Sequence, residues 1–434
     1  MKLILSLCIL SLLCCTISYA SPGSPGNDTL PSNQTANLFK FDPEAATQKY
    51  LDLLPAKSKE RSDAYFEGKY WLLLWNILYD ALVTWIILST GLSSRMKKIA
   101  FRSRNVKIQN LLYAFLYIII SFLLFFPFSV YQLFIREHQY HLSNQTFLQW
   151  LGDDLILLAL NAFFGSILLM VLYMAIRKAK TSWWVWGAGI VIFSLIMLML
   201  VSPVFVSPLF NKYTPLTDQS VKAQILSMAR ANQVPADNVY QFDASRQTSR
   251  ISANVSGFAG TTRISLNDNL LKRCTPAEIR SVMGHELGHY VLNHVYKGLI
   301  EYGVIIFIGF AFLHWSFNRL LRKYGAGWRI RSIADIGGLP LLMFLFSFYL
   351  FLATPFTNTI TRTAEVEADM FGLNAAREPD GFAAIAMKLS EYRKINPGYW
   401  EEILFFDHPS GRNRVLSAMK WKAENLADST STRR

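Results

Sequence analysis

Long apolar runs alternate with short polar loops along most of this chain. A helix needs about 20 apolar residues to cross a bilayer. Runs of that kind fall at 70–91, 111–135, 151–176, 183–206, 299–317 and 333–356, which predicts six spans. The third opens on Asp153 and Asp154 and the fifth contains His314; ionisable groups at such positions face a protein interior rather than lipid. Two long polar segments, 207–297 and 357–434, flank the last pair of spans. The chain therefore reads as mainly α and polytopic, divided into 1–20, 21–68, 69–206 with four spans, 207–297, 298–356 with two spans, and 357–434.

Local signals fill in this frame. Residues 1–20 have Lys2, an apolar core over 3–13 and Ser18-Tyr19-Ala20, the pattern of a secretory signal. An uncleaved first helix is the alternative and would make seven spans. A linker rich in Pro, Gly, Ser and Asn over 21–37 leads to an amphipathic helix at 41–69. Beyond Pro203, Pro208 and Pro215, which break the fourth run, a helix is expected at 219–231. Strands are expected at 250–255 and 262–266, joined through Gly257 and Gly260. Thr275 and Glu278 then form a capping box with Pro276 at the first helical position. This helix is expected to run through His294 and merge into the fifth span.

Composition agrees with the membrane reading. The chain has 434 residues, of which 52% are hydrophobic and only 17% charged, against about 25% charged in soluble domains. The net charge of +13 does not indicate nucleic acid, because the basic residues sit in short loops between spans and no basic groove with interleaved aromatics occurs. Those loops carry Arg95, Lys97, Lys98, Arg102, Arg104 and Lys107; Arg177, Lys178 and Lys180; and Arg319, Arg322, Lys323, Arg329 and Arg331. The positive-inside rule puts them in the cytoplasm. Both large polar segments then lie together on the outer, periplasmic or lumenal side, as a shared site requires. The sequons at Asn27, Asn33 and Asn144 fall on that side too. Cys8, Cys14 and Cys15 lie in the N-terminal apolar segment, so its removal leaves Cys274 without an intramolecular partner.

Within the first polar segment stands Gly284-His285-Glu286-Leu287-Gly288-His289-Tyr290. Histidines four apart share a helical face and can bind one Zn²⁺, while the glutamate between them reaches a water as general base. His294 lies five residues on, about 140° round the same helix, and is poorly placed as a ligand. Past the last span, Glu365 and Asp369 share a face. Glu365 is the candidate third ligand, with Asp369 either orienting a ligand histidine or protonating the leaving amine; a solvated acidic helix start is the plainer reading of the pair taken alone. Glu367 points away as a surface residue. His408, before Pro409, can donate a hydrogen bond to a developing oxyanion; an ordinary loop histidine is the plainer reading. A catalytically silent membrane chaperone, channel or transporter that kept this helix for structure is the competing class.

These residues resemble the integral-membrane CAAX prenyl endopeptidase family of gluzincin metallopeptidases. The resemblance rests on Trp183-Trp184-Val185-Trp186, Ser207 to Leu216, Arg263-Ile264-Ser265-Leu266 with Asn269-Leu270-Leu271, His285 to His289, Glu365 to Asp369, and His408-Pro409 with Arg414, in family order. It implies spans enclosing a chamber and a gluzincin-type α+β zinc domain split by two spans. It also implies one zinc held by His285, His289 and Glu365, with Glu286 as base and Asp369 assisting. His408 and Arg414 would border the cleft. Polypeptide substrate and membrane lipid are the partners it implies. Ser252-Ala253-Asn254 stands where the family has Asn-Ala-Tyr on its substrate-binding edge strand, so strand addition through main-chain groups is retained. The outer location fits membrane or exported polypeptides, in CAAX-box-type processing or membrane quality control.

Overall fold

The computed structural model describes residues 41–256 and 262–426. The expected signal segment 1–20, the linker, Asn27, Asn33, Gly257, Gly260 and three of the four cysteines lie outside the described residues. Helix α1 (Pro43–Asp52) packs through Ala46 and Tyr50 onto the C-terminal segment around Phe382 and Trp421; the membrane part comprises α2 (Ala56–Ser89), α3 (Leu92–Ala100), α4 (Val106–Val130), α5 (Phe147–Leu160), α6 (Ser166–Ala179) and α7 (Trp183–Val201). The single helix expected over 41–69 is two, because Pro55 occupies the cap of α2 and separates it from α1. The expected boundary at residue 68 falls inside α2.

Among the described residues, five helical stretches are long and apolar enough to cross a membrane. The third, Phe147–Leu209, spans 63 residues, far more than one crossing takes. It doubles back at Lys180, whose φ of 48° ends α6, so α6 packs against α7 and two crossings result. Buried Tyr113, Tyr117, Tyr173, Trp183 and Phe317 fill the interior of this bundle. Trp71, Trp75, Trp85, Leu123 and Phe163 are exposed on its outside, as lipid-facing positions should be.

The polar segment adds β1 (Tyr213–Pro215), α8 (Gln219–Ala231), β2 (Val239–Phe242), β3 (Ala253–Ser256), β4 (Arg263–Asn267) and α9 (Pro276–Val291). The strand order is β1-β2-β4-β3, with β2 parallel to β4 and the other pairs antiparallel. The expected pair is β3 and β4; β1 and β2 are too short to show a period. Val239, Ile264 and Leu266 of the sheet bury against Ile225 of α8 and Ile279, Met283 and Leu287 of α9. Each such side chain contributes about 1.5–3 kcal/mol; Ala253 and Val255 of β3 join the same core, and β3 lies beside α9.

The chain continues through α10 (His294–Trp328), α11 (Leu339–Ala376), α12 (Pro379–Leu389), α13 (Tyr399–Phe405) and α14 (Gly411–Leu426). Helix α9 does not merge into the fifth span: it stops at Val291, and Asn293 turns left-handed at φ 56° before α10. The boundary expected at 356 falls inside α11, one helix of 38 residues. Glu365 lies 26 residues beyond Leu339 on it, about 39 Å along the axis. That exceeds the bilayer's hydrocarbon thickness of about 30 Å. At the opposite end of α11 the basic loops converge: Lys97 pairs with Asp335 at 2.6 Å and the Arg177 Nε donates to the Ala334 carbonyl at 3.2 Å.

Candidate metal centre

Helix α9 begins as the capping box foretells. Thr275 Oγ1 accepts from the Glu278 amide, Glu278 returns a bond to the Thr275 amide, and Pro276 follows. Lys388 of α12 holds Glu278 at 2.7 Å. Helices α9 and α11 then cross closely because glycines meet: a Cβ on Gly372 would stand 2.7 Å from the His285 amide, and one on Gly284 2.9 Å from the Gly372 carbonyl. Only this approach lets side chains of α11 reach the histidines of α9.

The crossing brings His285, His289 and Glu365 together, with His285 and Glu365 buried. The two Nε2 atoms are 3.0 Å apart, and they lie 3.3 Å and 3.5 Å from the two Glu365 oxygens. Ligand atoms about 2.0–2.2 Å from a tetrahedral zinc lie about 3.3–3.6 Å from one another; both imidazole–carboxylate separations fall in that range, and the Nε2–Nε2 separation of 3.0 Å is a little shorter. The donor set, two imidazoles and a carboxylate, fits as well. So do the supports, which occupy Nδ1 of both rings and leave both Nε2 atoms facing inward.

His285 Nδ1 lies 2.7 Å from Asp369 Oδ1. Asp369 in turn accepts from Arg414 Nε at 2.9 Å and Nη2 at 2.5 Å. Arg414, expected to border the substrate cleft, is itself buried and donates both bonds to this carboxylate. Burial alone would lower the His285 imidazole, but its hydrogen bonds to Asp369 and Glu365 outweigh it and push it up to about 10 without metal. Glu286 accepts no hydrogen bond among the described residues. Burial raises its carboxyl above the ordinary range, opposed by the imidazoles of His285 and His289.

His289 has a different support, which the sequence did not reveal. Its Nδ1 lies 2.9 Å from Nδ1 of His294, whose Nε2 is 3.0 Å from Glu367; Lys297 holds the same Glu367 oxygen at 3.0 Å. The 140° that set His294 aside assumed one continuous helix. The left-handed turn at Asn293 folds His294 back instead, and Glu367 is a partner in this network rather than a surface residue.

His408 stands opposite, its Nε2 3.3 Å from Glu365 and its Nδ1 2.9 Å from Asp407. Arg362, one turn before Glu365, fixes this loop by donating to the Phe406 carbonyl at 2.6 Å. Ser252 and Asn254 sit just before and within β3, the edge strand packed against α9. Ser252 accepts from the Asn267 amide through its carbonyl at 2.9 Å, and Asn254 Oδ1 is buried without a hydrogen bond among the described residues.

A model described as peptidase family M48 matches residues 215–422, and one described as CAAX prenyl protease N-terminal, five membrane helices, matches residues 42–212. The chain belongs to peptidase family M48. It is 28% identical over 368 residues to an uncharacterized metalloprotease of Bacillus subtilis, YhfN, spanning 83% of this chain and 85% of that protein. Identity to the CAAX prenyl protease 1 homolog of Oryza sativa is 25% over 370 residues, 84% and 86% of the two chains. The crystal structure of S. mikatae Ste24p superposes with a TM-score of 0.67 at 22% identity, covering 87% of this chain and 94% of that one; it shows the same fold. The chain is thus a CAAX prenyl protease-like, multi-pass membrane protein of the M48 metalloprotease family.

Proposed function

We propose that this M48 member is a zinc-dependent endopeptidase that cuts membrane-associated or exported polypeptides. One observation carries the reading: three donor atoms converge at close to zinc spacing beside Glu286, which accepts no hydrogen bond among the described residues. Held by His285, His289 and Glu365, one zinc per chain would polarise the scissile carbonyl and lower the pKa of a water. Glu286 takes the proton of the attacking water and delivers it to the leaving amine. Asp369 fixes the tautomer of His285, and Arg414 acts through Asp369. His408, oriented by Asp407, donates to the carbonyl oxygen as charge builds there. The free edge of β3 binds the peptide main chain between Ser252 and Asn254.

The relatives named as CAAX prenyl proteases make CAAX-box-type tails the first substrates to try. The gathering of the basic loops at one end of α11 and the donor cluster near the other supports an outer location for the site. Reporter fusions after Lys180 and after Lys212 test that orientation: only the second should be active as a periplasmic reporter. The activity itself is tested with the purified chain and a quenched peptide. A chelator should abolish cleavage and stoichiometric zinc restore it; cleavage that persists with all metal removed contradicts the reading.

A further inference from the structure

Two spans enclose a cleft that hydrolysis does not use. The apolar run of α2 begins near Tyr70 and that of α4 ends near Ile135, so residues 68–75 and 131–140 share the level at which hydrocarbon gives way to water. The cleft measures about 420 Å³ and lies among Gly68, Trp71 and Trp75 of α2 and Tyr131, Arg136 and Gln139 past the end of α4. Trp71 is 65% exposed, whereas Arg136 keeps only 5%. Among the described residues Arg136 has no carboxylate within ion-pair distance and donates one hydrogen bond, from Nη2 to the Tyr65 carbonyl. Its Cζ stands 4.1 Å from the Tyr65 ring centroid and 5.4 Å from that of Tyr140. The adjacent acid, Glu137, is engaged by Arg250 at 2.7 Å and by the Tyr65 hydroxyl at 2.7 Å. Gly68 makes room for the guanidinium: a Cβ there would stand 3.0 Å from Nη2.

The surface next to this cation has the dimensions of a lipid. Trp71, Trp75, Leu78 and Leu82 fall within about 60° of one another round α2, and all four are exposed. From Trp71 to Leu82 the stripe runs about 16 Å, close to the depth of one leaflet's acyl chains, which is half of about 30 Å. A guanidinium carries five donors, and one held out of water without a counter-charge favours an anion. With one cation and no acid on its walls, the cleft selects a headgroup of net negative charge. A soluble anion would leave the aromatic rim and the apolar stripe uncovered. We propose that this cleft binds one anionic glycerophospholipid, with the phosphate on Arg136, the glycerol against Trp71, Trp75 and Tyr131, and the chains along α2. None of the lining residues belongs to the donor cluster, so the inference stands apart from the peptidase reading.

The test titrates the purified full chain in detergent micelles with phosphatidylglycerol or with phosphatidylcholine of the same acyl chains. Native mass spectrometry reads the affinity for the first bound lipid. Wild type should bind phosphatidylglycerol about 10- to 100-fold more tightly, the scale of a charge-assisted contact. Arg136→Gln should erase that preference. Trp75→Ala, on the exposed rim, should weaken the first phosphatidylglycerol about 3- to 10-fold, and it reads the site even where Arg136→Gln fails to fold. Glycerol 3-phosphate at the same concentration should not displace the lipid. Equal binding of both lipids by wild type overturns the proposal. So does a preference that survives Arg136→Gln, or a first-lipid affinity untouched by Trp75→Ala. Displacement by glycerol 3-phosphate would assign Arg136 to a soluble anion and overturn it. A wild-type dimer that Trp75→Ala abolishes would assign the rim to a second copy and overturn it as well.

Discussion

The two histidines of α9 look alike in the sequence and are held quite differently. His285 meets a carboxylate directly, and that carboxylate is clamped by a buried arginine through two bonds. His289 reaches a carboxylate only through a second imidazole, His294, and the Glu367 at the end of that relay is partly exposed and shared with Lys297. The first support is short, dry and fixed in its proton position. The second is longer and can shift its protons between imidazoles. A fixed orienting carboxylate holds a ligand more strictly than a relay does, so the two sides of the site should differ in how much the metal depends on them.

The largest effects should come from the ligands themselves. His285→Ala and Glu365→Ala should each lose bound zinc, read by elemental analysis, and bring hydrolysis down to background. Next comes Asp369→Asn, expected to weaken zinc by about 100-fold, the upper end for an orienting partner. It also leaves Arg414 buried beside a neutral amide, which should cost about 3–5 kcal/mol of stability; thermal unfolding of the zinc-free protein would show it. His294→Ala should weaken zinc by about 10-fold, at the lower end of the same range, and Glu367→Gln by less still. If Glu367→Gln matched Asp369→Asn in zinc competition assays, the contrast between the two supports would be gone.

Acidity sharpens the same contrast. Without metal, Asp369 and Glu365 hold the His285 proton up to about 10, so zinc must displace it. Zinc affinity should therefore rise with pH below that value, by up to about tenfold per pH unit. The zinc-free fold shows the opposite sign. A raised imidazole adds stability that is full below about 6.5, its unfolded value, and is lost as pH climbs toward 10. Proton release measured by calorimetry in buffers of different ionisation enthalpy should fall in Asp369→Asn and change little in Glu367→Gln.

What the sequence shows of this molecule depends on how local the cause is. Helix α8 was legible because its cap and period are contained within it, and so was the start of α9 at Thr275. The spans were legible from their length and apolarity. The spacing of Glu365 and Asp369 could be read because both lie on one helix. The relay of His294 and Glu367 could not, since it depends on one left-handed residue, Asn293, whose turn no periodicity announces. Nor could the meeting of Gly284 with Gly372, which decides how closely α9 and α11 cross. The cleft between Trp71, Trp75, Tyr131 and Arg136 joins two distant segments, and only the folded chain gathers them.

The central claim is that Glu286 moves the proton while others hold the metal, and Glu286→Gln separates the two roles. The variant should retain one zinc per chain while peptide hydrolysis falls by about 100- to 10,000-fold. Turnover near that of the wild type with zinc in place, or loss of the zinc itself, would contradict the account.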